Sequence, residues 1–345
     1  MSELSKSRIK YVGKKVLLML LVLVILSMVV FVIARLCPGD PLRAYYGDGI
    51  EHMSEADKDV ARQRLGLNDS MVTQYGRWVS NLFDGDLGIS YKYKQPVATV
   101  IGQFVGNTLA LGGLAYILTF GLAIVIGLFC ASREDSWLDR IICKIGVVSN
   151  CIPAFFLALV LVLIFAVNLK IFPTSGAYGI GNKDDIMDRL YHLVLPVAVL
   201  VLEHLWYYTY MIRNKLLEET RADYVLLCKA EGLSRRKILT KHCLRNILPS
   251  LLVIMAISVP HILGGTYVVE MVFSYPGLGT LSFEAARYQD YNMLMALCMV
   301  PGVIVLVFNL IAQIISEFID PRMQYEAEGY DTFKEAEGSL EVSSI

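Results

Sequence analysis

The sequence predicts an all-α integral membrane protein with about six transmembrane helices. Of its 345 residues 55% are hydrophobic and only 18% are charged, and the mean hydropathy is +0.53; a soluble domain of this size carries about 25% charged residues. Several uncharged runs approach the roughly 20 residues that a helix needs to cross a hydrocarbon core about 30 Å thick. Basic residues gather in a few connections and acidic ones near the C-terminus. The formal net charge of -1 therefore hides an uneven distribution and gives no ground for a nucleic-acid partner. The partner that the composition asks for first is a lipid bilayer.

Residues 1–15 contain Lys6, Arg8, Lys10, Lys14 and Lys15 and read as a cytoplasmic N-terminus. The first span is 16–34. It lacks a small-x-small cleavage site, being followed by Arg35-Leu-Cys-Pro-Gly-Asp-Pro, so it reads as a membrane helix and not as a signal peptide. Residues 35–106 form a long extracytoplasmic segment. A helix is expected there over Ser54 to Leu65, with Ser54 as N-cap and Glu55, Asp57 and Asp59 at the positive end of the dipole. Spans two and three are 107–132 and 145–169, with Arg133, Arg140 and Lys144 between them. Span four, 193–212, contains Glu203 and His204. The loop 213–246 leads to span five at 247–269, the outer loop 270–290 to span six at 291–316, and 317–345 reads as an acidic, disordered tail. Basic residues resist transfer across the membrane, so their distribution places both termini and residues 213–246 in the cytoplasm.

The seven cysteines and five histidines are scattered. No CxxC pair and no two histidines at i, i+4 occur, so the sequence offers neither a disulfide framework nor a metal centre. No GxxxxGK[ST] loop is present, so this chain does not cradle ATP phosphates by that means.

The loop 213–246 holds nine basic residues against four acids, yet Leu217, Tyr224 and Leu227 or Cys228 recur at the spacing of one helix face. Gly232 suits a helix C-terminus, and Ser234 caps a second short helix with Leu233 and Ile238 as its hydrophobic staple. Arg235, Arg236 and Lys237 then fall in the first turn, where the dipole disfavours each exposed cation by about 0.3–1 kcal/mol. Either they meet acidic groups of a partner, or they reflect the basic character of cytoplasmic loops.

Asp223-Tyr-Val, Lys229-Ala-Glu-Gly-Leu-Ser234 and His242-Cys-Leu-Arg-Asn246 resemble the coupling-loop motif of permease subunits in ATP-binding-cassette importers, in the branch handling peptides and nickel. Pro38-Gly-Asp-Pro41, Leu65-Gly-Leu67, Gly85-Asp-Leu-Gly88, Ile152-Pro-Ala154, Phe172-Pro-Thr-Ser-Gly176, Phe273-Ser-Tyr-Pro-Gly-Leu-Gly279 and Asp320-Pro-Arg322 resemble its other landmarks, in order. Glu231 departs from the alanine and lysine that the family often has before its glycine, and Pro249 falls one position early. The resemblance implies a type I importer permease fold. It also implies contact with an ATPase through the element containing Asp223, Tyr224, Ala230, Glu231, Gly232, Leu233, Ser234, Arg235, Arg236, Lys237, Ile238, Lys241 and His242. The implied partners are a paralogous permease subunit, two ATPase subunits that use ATP and Mg, and an extracytoplasmic solute-binding protein. No cofactor is implied for this chain. Peptides are the commonest cargo of that branch, with nickel or other metal chelates and haem as alternatives.

An ionisable group inside a bilayer is a functional candidate by default. Glu203 lies ten residues before Arg213, about 15 Å along a helix, and Tyr207 and Tyr210 share its face while His204 and Tyr208 form a neighbouring pair. This face lines a pathway, or makes hydrogen bonds between helices or to a second permease. A membrane-embedded enzyme using Glu203 and His204 as an acid–base pair is the reading from another class; a channel or receptor is a third. His261, beside Pro260 and Gly264-Gly265, is a packing residue or a second pathway residue. Glu270 and the turn from Ser274 to Gly279 form an external gate or an ordinary loop.

Overall fold

A computed structural model describes residues 3–36, 41–149 and 151–319. The Pro38–Asp40 part of the first landmark, Asp320-Pro-Arg322 and the acidic tail from 320 onward lie outside the described residues. The first helix, α1 (Glu3–Leu36), includes the expected span. The segment expected to be extracytoplasmic folds into α2 (Pro41–Tyr46), a 3₁₀ turn (Gly47–His52), α3 (Glu55–Arg64) and α4 (Met71–Phe83). In α3, Ser54 caps as its sequence suggests, its hydroxyl accepting from the Asp57 N–H; α4 has no counterpart in the sequence reading.

The second span begins ten residues earlier than its apolar run, as α5 (Val97–Ser132). The stretch 145–169, read as one span, is instead two pieces. Helix α6 (Trp137–Ser149) meets α7 (Ala154–Leu161), which continues as a π-helix over Val162–Asn168, at 109°. Pro153 has no N–H to donate, so the second piece starts afresh after it.

Helix α8 (Ile186–Glu219) contains the expected fourth span but, unlike α1, α5, α11 and α13, is not apolar enough to count as one by composition. Its surroundings explain this. It packs against α5, α6, α7 and α11, so lipid touches little of it, and Leu200, Ile212 and Leu216 are fully buried. After α9 (Asp223–Ala230), α10 (Arg235–Lys237) runs through a π-helical turn (Ile238–Cys243) into α11 (Leu244–Val272). The second helix of the loop is thus the start of a 38-residue rod, Arg235–Val272, and not a separate piece. Last come α12 (Leu278–Arg287), inside the expected outer loop, and α13 (Tyr291–Ile319).

The core joins α5, α8 and α11 through Leu111, Phe120, Leu200, Ile212, Leu251 and Ile262. Close approach is set by small residues. A Cβ on Gly146 would stand 3.0 Å from the Trp206 carbonyl, and one on Gly265 would stand 3.1 Å from Leu200; Gly264, the other half of the pair seen in the sequence, meets no such neighbour. The outer segment is fastened to α12 and α13. Ser90 Oγ donates to Asp290 at 2.5 Å, and Lys92 Nζ and Tyr93 Oη donate to Glu284 at 2.5 and 2.8 Å. Helix α1 packs on α13 and exposes Leu17, Leu18, Leu21 and Ile25, the pattern of a helix solvated by lipid.

Candidate functional site

Helix periodicity places Glu203, His204 and Tyr207 on one stripe of α8 and Ser258, His261 and Gly265 on one stripe of α11, since residues three, four and seven apart share a face. The two stripes meet at a cleft of about 520 Å³, open on one side, whose walls also include Tyr208 and Met211. Four of the six residues singled out for a pathway therefore converge. Gly265 belongs to the pair noted beside His261 in the sequence; Ser258 escaped the sequence reading, although its spacing, three residues before His261, carries the signal.

Within the cleft His204 Nδ1 lies 2.9 Å from the Leu200 carbonyl, one helical turn back; a carbonyl only accepts, so Nδ1 donates, which in a neutral ring leaves the lone pair on Nε2. The same Nδ1 stands 3.7 Å from Glu203 Oε2, outside hydrogen-bond range. Glu203 Oε2 is buried with no hydrogen-bond partner among the described residues. The pair is not arranged for proton exchange between its members. The His204 ring stacks on Tyr208, with centroids 6.3 Å apart and planes at 10°, and Tyr208 in turn packs on Phe120.

Tyr210 and Glu270 sit elsewhere. Tyr210 packs beside Gly146 of α6. Glu270 is fully buried; its carboxylate accepts from Thr108 Oγ1 at 2.7 Å and from the Gly279 N–H at 2.6 Å. The Leu278 N–H donates to Thr108 Oγ1, and Asn107 Nδ2 to the Pro276 carbonyl. These bonds tie α5, α11 and the first turn of α12 together, where an anion is favoured by the helix dipole. Glu270 is a buried fastening and does not line the cleft.

At the other end of α8 the chain makes a corner. Gly232 has φ +80°; its N–H donates to the Lys229 carbonyl and that of Leu233 to the Cys228 carbonyl, the paired bonds of a Schellman ending. Ser234 Oγ then accepts from the Lys237 N–H. Ile238 is buried and Leu233 half-buried against the core. Of the two residues that the face pattern allowed, Cys228 turns inward with Val225, and Leu227 turns outward with Leu226. Tyr224 donates to Glu219 at 2.8 Å; burial, with the Cys243 and Glu219 contacts, pushes its hydroxyl above the ordinary tyrosine range.

Arg235 answers the puzzle of a cation in a first turn. Its Nη2 donates to Glu134 Oε2 at 2.7 Å and to the Ala131 carbonyl at 2.9 Å, at the negative end of α5. Its charge is used within the chain. Asp223, Ala230, Glu231, Arg236, Lys237 and Lys241 remain exposed around the corner, with His242 half-buried. Beside them Arg213 grips the buried Asp139 through Nε at 2.9 Å and Nη2 at 2.6 Å, a two-pronged bond joining α8 to α6.

Comparison with known proteins identifies the family and the fold. The chain matches the family described as "Binding-protein-dependent transport system inner membrane component" over residues 123–325, and the corresponding N-terminal family over residues 8–112. It is 34% identical to the oligopeptide transport system permease protein AppB of Bacillus subtilis, over 91% of this chain and 99% of that protein. It is 30% identical to the dipeptide transport system permease protein DppB of Alkalihalophilus pseudofirmus, over 91% of this chain and 99% of that one. An inward-facing structure of the MetNI methionine ABC transporter shares the fold with TM-score 0.52, over 65% of this chain and 97% of that chain, at 18% identity. The chain belongs to the family of binding-protein-dependent transport system inner membrane components, multi-pass permease subunits that work with an ATPase and a solute-binding protein.

Proposed function

We propose that this chain is one half of the channel of an ATP-driven peptide importer, paired in the membrane with a paralogous permease and served by two ATPase subunits that bind ATP and Mg. The observation that carries the reading is the continuous rod of α10 and α11. One end forms the exposed corner after Gly232 and the other carries His261 and Gly265 into the cleft. A push on the corner is transmitted to the cleft wall, as alternating access requires. The names of the relatives support peptides as cargo. In this reading both termini and the corner are cytoplasmic, α2–α4 and α12 face outward, and Glu270 holds the outer end of the channel closed. Glu203, His204, Tyr207 and His261 line the route.

The test is transport by the complete complex in proteoliposomes. ATP-dependent uptake of di- or oligopeptides delivered by the cognate binding protein is expected; uptake of metal chelates or haem, with none of peptides, would overturn the cargo assignment.

A further inference from the structure

Beside His261 and the tyrosine hydroxyls, three polar groups of the cleft wall can accept hydrogen bonds. Glu203 supplies a carboxylate; His204, its Nδ1 engaged with Leu200, presents a bare Nε2; and Ser258 Oγ donates to the Met255 carbonyl at 2.7 Å, leaving its oxygen to accept. The exposed Tyr207 ring is part of the wall, and electron-rich aromatic faces attract cations. Among the described residues no Lys or Arg lines the cleft; the nearest cationic group that could form is a protonated His204, whose Nδ1 stands 3.7 Å from Glu203 and is already engaged with Leu200.

A buried oxygen without a hydrogen-bond partner is costly to keep, and an unpaired carboxylate more so. The missing component is therefore a cation rich in N–H donors. A metal ion fits less well, since among the described residues no three His, Cys, Asp or Glu side chains are grouped to hold one. A primary ammonium, with three N–H bonds and one charge, matches a carboxylate flanked by two neutral acceptors. Every peptide with an unmodified amino terminus carries one.

We propose that the cleft binds the amino-terminal ammonium of the transported peptide, with Glu203 as its counter-ion and His204 Nε2 and Ser258 Oγ accepting its remaining hydrogens. The assignment rests on the peptide-importer reading above and gives the permease its own selectivity, separate from that of the binding protein.

The experiment compares uptake of one peptide with a free and with an acetylated amino terminus by the assembled complex, in the wild type and in Glu203→Gln, with the same binding protein throughout. Removing one partner of a desolvated charge pair should lower uptake of the free peptide at least about tenfold while leaving the acetylated peptide unchanged, so the ratio between them collapses. Glu203→Asp should restore part of it. If Glu203→Gln does not co-purify with its partners, the same ratio is read in His204→Phe, which keeps a flat ring and removes the acceptor nitrogen. An unchanged ratio in the assembled variants, or an equal fall for both peptides, would overturn the assignment while leaving the importer reading intact. A wild type that moves neither peptide would overturn both.

Discussion

Glu270 and Gly279 show how a carboxylate is kept inside a membrane protein without a cation. Two hydrogen-bond donors and the first turn of α12 supply the compensation, and the backbone of Gly279 reaches it only because no Cβ intervenes. A methyl group there would come within 2.5 Å of Tyr267 Cα and 2.8 Å of Glu270 Oε2. Gly279→Ala should therefore destabilise the outer end by about 1–3 kcal/mol, the usual range for overpacking, seen as a lower melting temperature of the purified complex. Glu284 makes a pH prediction. Burial raises its carboxyl, but the bonds from Lys92 and Tyr93 lower it further, so it titrates below the ordinary glutamate value. A depressed folded pKa contributes stability above the unfolded value of about 4.3 and loses it as pH falls through the folded one. A fluorophore on Lys94→Cys should report the segment with Lys92 and Tyr93 still fastened to α12 from neutrality down to about pH 4, and released only below. Release already near pH 6 would contradict the assigned pairing.

At the scale of elements the corner is the part most open to test. Gly232 adopts a left-handed backbone that costs a residue with a Cβ about 1–2 kcal/mol. Gly232→Val should leave insertion and assembly intact while ATP hydrolysis continues without uptake; normal transport would refute the turn's role. Arg235→Ala should loosen the corner from α5 and lower uptake, whereas Arg236→Glu with Lys237→Glu, on exposed residues, should weaken ATPase binding in a pull-down without changing the melting temperature of the permease. Much of this corner was legible in the sequence because its signals are local: a capping serine, a glycine at a helix end, a staple. The α3 cap at Ser54 was legible for the same reason. The bend between α6 and α7 was hidden because Pro153 marks a break but not an angle, which packing against α8 decides. The continuity of α10 with α11 was hidden because Lys241 and Arg245 end an apolar run without ending a helix. In the cleft, the Glu203 stripe could be read from spacing on α8; which side of α11 it would meet, and that Glu270 would be buried, depend on the tertiary arrangement.

For the whole molecule the proposed sidedness yields a direct check. Arg236→Cys should react with a membrane-impermeant thiol reagent only from the cytoplasmic side and Arg287→Cys only from the outside; the reverse pattern would invert the mechanism. In the proposed orientation the chain has two layers, an outer cap of short helices clasped by Ser90, Lys92, Glu284 and Asp290 and an inner frame held by Asp139, Arg213, Glu134 and Arg235, with the cleft between. The π-helical turn over Ile238–Cys243 lies where the inner frame hands over to the rod, and it fixes a phase as well as a connection. Each residue of a helix advances the next by about 100°, so deleting a single residue from this turn would swing Ser258, His261 and Gly265 to another bearing. Such a protein would still thread the bilayer and still be pushed, but the stroke would turn a blank side of the shaft toward the cargo.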